Sequence, residues 1–191
     1  MPQPLTPPLS RSLQHTLMYL SIAASGLADF ARHWYPEIPA EVPSLFLATA
    51  FFSQGFILVF HLTGPDFDIR LHALLAFASF ATAFSLALSG LRPESLMACL
   101  LRCVCLLSLG SFWIQAGDLM FNRPAFDTVE GIAIAPALLC LHTAGWALLL
   151  LAGLVAVLPA RGNSEAVVLR EKLTREGAEV GAAGKVQHSH A

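Results

Sequence analysis

The sequence predicts an all-α fold, a polytopic membrane helix bundle of about five transmembrane helices. Composition is the first reason: 55% of the 191 residues are hydrophobic and only 13% are charged, whereas soluble domains carry about 25% charged residues. Segmentation is the second, because five apolar stretches lie between Ser12 and Pro159, each near the roughly 20 residues that cross a bilayer. The third is that charge is displaced from this body. The stretch after Pro159 holds five of the eleven Lys and Arg and four of the thirteen Asp and Glu.

Residues 1–11 read as an extended leader, since Pro2, Pro4, Pro7 and Pro8 lack the backbone N–H that a helix interior uses. The first helix is expected over 12–32. It is the least apolar of the set, with His15, Ser21, Ser25 and Asp29 along it. A proline-rich loop with Trp34 and Tyr35, residues of the kind that settle at membrane interfaces, then leads to a second helix over 44–62. The polar turn Thr63 to Asp68 joins it to a third over 68–89, so the pair forms a hairpin. Gly90 to Pro93 ends that helix, and a fourth over 94–121 stops at Asn122-Arg123-Pro124. The fifth runs over 130–158, with a kink expected at Pro136. The tail, 160–191, has too little apolar content to fold alone and is expected to be flexible and cytosolic. Its His188 and His190 read as part of a solvated end.

Several function classes fall away at this point. A net charge of -2 leaves no basic surface for nucleic acid. Cys99, Cys103, Cys105 and Cys140 lie inside apolar runs, without the spacing of a disulfide framework or zinc ribbon, and read as small apolar packing residues. The N-terminus lacks the basic region of a secretory signal, which favours an uncleaved first helix. No nucleophile elbow, phosphate loop or His-Glu-x-x-His motif occurs.

Five spans place the termini on opposite sides. Arg11, Arg70 and Arg123 fall on the N-terminal side, while Arg32, Arg92, Arg161, Arg170, Lys172, Arg175 and Lys185 fall on the other. The positive-inside rule then puts the C-terminus in the cytosol.

Ionisable side chains at membrane depth cost roughly 2.5–3.5 kcal/mol each at mid-helix and point to function or to a partner. They sort here into two layers. His15, His61, Asp68 and His72 fall near the non-cytosolic boundary, and counting back from Leu158 brings His142 to the same side, with Asp118 beside it. Neutral imidazole and carboxylate suit Zn²⁺, bound at about 2.0–2.2 Å with one position open in catalytic sites, so His61, His72, His142, Asp68 and His15 are the candidate metal ligands. The competing expectation is that these histidines bond one another, backbone carbonyls or interfacial water. Nearer the cytosol, Asp29 and Arg102 are expected to form a structural ion pair that compensates two charges. Gln54, mid-helix and seven residues before His61, is expected to join helices through its amide.

With these residues in view, the chain resembles the transmembrane protein 45 family, which includes the transmembrane epididymal proteins. The stretches that carry the resemblance are Gln14 to Tyr19 leading to Gly26-Leu-Ala-Asp29, Phe56 to His61, Asp68 to Leu75, Leu101-Arg102 to Gln115, and Cys140-Leu-His142. The resemblance implies a multi-pass membrane protein whose relatives generally have seven spans and largely unassigned activity. Against that pattern this sequence lacks the first two helices, including a Gly-His near the family's N-terminus. It also carries Gln54 where near relatives have Glu, and Thr63 where they have a second His.

The expected function is therefore that of an interaction, scaffolding or trafficking component of the bilayer, with possible protein partners through helix faces or the tail. The enzyme alternative is a zinc-dependent intramembrane hydrolase of a lipid amide or ester. A transporter ranks last, because five spans offer no inverted repeat and no pair of broken helices.

Overall fold

The computed structural model describes residues 7–60, 64–122 and 128–157. Among them the regular elements are all helical: α1 (Pro7–Trp34), α2 (Glu41–Val59), α3 (Asp66–Leu91), α4 (Leu96–Asn122) and α5 (Val129–Val157). The expected all-α helix bundle is what the chain forms. The largest departure is at the front, where α1 starts at Pro7 and absorbs residues expected in the leader. Proline suits a first helical turn, where its missing N–H has no intrahelical partner and its fixed φ is already helical. Pro43 is tolerated just inside α2 for the same reason.

Four helices, α2 to α5, are long and apolar enough to cross a membrane. The first falls short of that composition because polar residues recur along its 28 residues. Its neighbours are set by sequence order: α1 packs on α2, α2 on α3, and α3 on α4. Two α5 residues, Ala135 and Leu139, complete a core with Leu71 and Leu75 of α3 and Leu109, Phe112 and Ala116 of α4. Contacts divide the chain at Ala147–Leu148. Up to Ala147 lies the packed bundle; beyond it, residues 148–157 are the closing turns of α5.

Small polar residues share the buried side of α3 with Leu71, Leu75 and Leu86. On α3 the fully buried positions include Ser79, Thr82 and Ser85, while Phe77 and Phe84 are 68% and 67% exposed. Lipid takes apolar side chains as readily as a core does, so helix interfaces favour small residues that let backbones approach. Each buried hydroxyl is satisfied within its own helix: Ser79 donates to Leu75 O at 2.7 Å, Thr82 to Ala78 O at 2.8 Å and Ser85 to Thr82 O at 2.8 Å. The close approach of α2 and α3 is sharpest at Gly55. A Cβ there would lie 2.9 Å from the Phe80 ring, which Phe52 and Phe56 meet edge-on.

Candidate functional site

The densest polar cluster among the described residues lies between α4 and α5, built from two pairs at i, i+4 spacing. Such pairs project from one helix face. Ser111 and Gln115 supply the α4 face, and His142 and Trp146 the α5 face. His142 Nε2 is 2.6 Å from Gln115 Oε1, His142 Nδ1 is 2.8 Å from Ser111 Oγ, and Trp146 Nε1 donates to Ser111 Oγ at 3.0 Å. Buried Phe112 meets the imidazole edge-on, centroid to centroid 6.1 Å. Carbonyl oxygen only accepts, so Gln115 Oε1 assigns a proton to Nε2. The neutral ring then accepts the Ser111 hydroxyl hydrogen at Nδ1. In the charged ring Nδ1–H donates instead, and that hydroxyl turns to Leu107 O, 2.7 Å away. The same partners serve both forms of the ring.

His142 stands near the midpoint of α5 and faces a turn just past the midpoint of α4. The helices pair here because polar groups in lipid seek one another, at about 0.6 kcal/mol per bond and at most about 1.7. A metal ligand must offer a nitrogen lone pair. In the neutral ring Nε2 carries its proton toward Gln115 and Nδ1 accepts from Ser111.

Among the described residues no group of three or more His, Cys, Asp or Glu side chains is placed to hold a metal ion; His61 lies outside them, as do His188 and His190. His15 is exposed on α1. His72 Nδ1 donates to its own helix at Asp68 O, 2.8 Å, and Asp68, with Asp66, stands in the first turn of α3, where the helix dipole favours negative charge. Asp118 accepts from Asn122 Nδ2 at 3.0 Å.

The second expected layer also resolves differently. Asp29 is exposed near the end of α1, and Arg102 reaches Cys99 Sγ at 3.8 Å on its own helix. Arg102 lines a cavity of about 150 Å³ with Glu41, Ser89 and Arg92, where α2 begins and α3 ends. No ion pair between Asp29 and Arg102 occurs among the described residues, since α1 packs on α2 and leaves Asp29 on its outer side. Gln54 is deeply buried with Oε1 unbonded, so its amide oxygen does not join helices as expected.

Sequence reasoning had Gln115 and His142 in hand but not their pairing, and it passed over Ser111 and Trp146. The signal was present as the matched spacings Ser111-x-x-x-Gln115 and Cys140-Leu-His142-x-x-x-Trp146, a polar pair one turn apart on each of two apolar helices. No solved structure matches the chain. A family model described as a family of unknown function, DUF716, matches residues 40–153. That range takes in α2, α3, α4 and α5 through Gly153, the His142 cluster included, and the chain belongs to the DUF716 family.

Proposed function

We propose that the chain is a multi-pass membrane protein of the transmembrane protein 45 type, crossing the bilayer five times with its C-terminus in the cytosol. We further propose that it acts as an interaction, scaffolding or trafficking component. The observation that carries this reading is the outer face of α5. Ile134 and Leu141, seven residues apart on one helix face, are exposed there, while His142 and Trp146 turn their polar atoms to α4. A helix so divided holds its own bundle with one face and offers lipid or a membrane partner the other, unbroken by charge. The ordered motifs from Phe56 to His142 fall inside the matched residues 40–153 and support the type.

Site-specific photo-cross-linking in native membranes tests the reading. A photoreactive residue at Ile134 or Leu141 is expected to yield discrete protein adducts, and the same residue at buried Ala135 is expected to yield none. Adducts with lipid alone at both exposed positions would overturn it.

A further inference from the structure

Two arginines meet at the end of the bundle where α2 begins and α3 ends. Arg92 caps α3, and Arg102 stands six residues into α4, about 9 Å along that helix at 1.5 Å per residue. Both line the cavity of about 150 Å³ there, together with Ser44, Ser89, Cys99 and Glu41. Arg102 Nη2 meets Cys99 Sγ at 3.8 Å, and among the described residues neither guanidinium forms an ion pair, with Glu41 or with any other carboxylate. Ser89 is already bonded to Leu86 O at 3.1 Å, whereas the Ser44 hydroxyl has no partner among the described residues. Arg102 and Ser44 are half-buried, yet their free donors stay open: the closed, unbonded side-chain atoms among the described residues are Gln54 Oε1 and Ser108 Oγ.

Charge and size together define what fits. Two guanidinium groups against one carboxylate leave the lining with an excess of positive charge, and an uncompensated cation on a membrane helix calls for a partner. Guanidinium matches a phosphate through two parallel N–H bonds. The start of α2 adds to the bias, since it carries no side-chain cap and its first-turn N–H groups make the positive end of the helix dipole. The volume equals the liquid share of about five waters at about 30 Å³ each. That holds one phosphate group and leaves no room for a sugar ring beside it.

We propose that this cavity binds one phosphate monoester group, held by Arg92 and Arg102 with the Ser44 hydroxyl donating to a phosphate oxygen. Two sources offer that chemistry: phosphatidic acid, whose headgroup is the phosphate alone and whose chains stay in the bilayer beside the helices, and free inorganic phosphate. Phosphatidylcholine fits on neither count, because its choline brings a cation against the guanidinium groups and more bulk than the cavity holds. Glu41 opposes the anion from the same lining and keeps the affinity below what the two arginines alone would give.

The test uses the full chain in phosphatidylcholine vesicles that carry a limiting amount of one alkyne-tagged lipid, photoactivatable close to its headgroup. The three tagged lipids are phosphatidic acid, the diacylglycerol that lacks its phosphate, and phosphatidylcholine with the same chains. Phosphatidic acid is expected to label the start of α2, the end of α3 or the start of α4 at least about tenfold more than either of the others, the worth of its charge-assisted hydrogen bonds. Arg102→Gln is expected to lower that labelling to the diacylglycerol level, and Arg92→Gln, at an exposed position, to lower it about threefold. Glu41→Gln removes the opposing charge and is expected to raise it about threefold, a gain that a misfolded variant does not give. Excess inorganic phosphate separates the sources: displacement of the tagged lipid assigns the free ion, and labelling that persists assigns the lipid. Equal labelling by the three lipids, wild-type labelling in both folded arginine variants, or labelling in Glu41→Gln that does not rise would overturn the proposal.

Discussion

At the scale of single residues, Ser111 shows how tightly the α4–α5 junction is specified. Its oxygen receives the Trp146 N–H, and its one hydrogen serves either His142 Nδ1 or Leu107 O. A double-mutant cycle with His142→Leu and Gln115→Leu isolates the bond between the two side chains. Each single change is expected to destabilise the folded bundle, with a coupling of about 0.6–1.7 kcal/mol by reversible unfolding in detergent or bicelles. Additivity within error would mean that the 2.6 Å contact contributes nothing. Gly55 is a second sensitive position. Because Phe80 lies 2.9 Å from where its Cβ would be, Gly55→Leu is expected to push α2 from α3 and cost about 1–3 kcal/mol, the usual range for overpacking. An unchanged unfolding midpoint would contradict that packing. His142 and Gln115 stand out in the sequence as polar residues in apolar helices; their pairing did not, because it depends on how α4 and α5 are rotated, and two helices apolar nearly all round carry no stripe that sets the rotation.

Single helices were the most legible level. The boundaries of α2 to α5 fall within about three residues of those expected, since Pro, Gly and charge clusters end apolar runs by a local rule. The first helix was less legible. Pro7 and Pro8 read as helix breakers, yet at a helix start they are not, and the same residue type carries opposite meanings at the two places. Buried polar residues on α3 were also hidden in the sequence. Ser79, Thr82, Ser85 and Ser89 lie in an apolar helix where nothing local marks them as core. Their bonds to i−3 or i−4 carbonyls mean that size, more than the hydroxyl, is what the interface uses. Ser79→Ala is therefore expected to change stability by less than about 0.5 kcal/mol, and Ser79→Leu to cost about 1–3 kcal/mol. A large loss in the alanine variant would assign the hydroxyl a bond beyond Leu75 O.

For the whole molecule, the decisive matter is how many helices cross the bilayer. Four qualify by length and composition, and α1 is the marginal one. The proposed fifth crossing would set Leu20, Leu27 and Phe30, which are exposed, against lipid, while Ser25 is buried and bonded to Ile22 O. Its charged groups and histidines, Arg11 and His15 toward one end and Asp29, Arg32 and His33 near the other, leave a middle free of charge. That middle is short for a span, so long side chains at its ends are expected to reach the headgroups. Reporters placed before Pro7 and after Arg161 decide the matter most directly, as N-glycan acceptor tags or membrane-impermeant thiol labels read in intact and permeabilised cells. Five crossings predict the N-terminal reporter on the non-cytosolic side and the C-terminal reporter in the cytosol; both reporters on one side would contradict the five-crossing bundle.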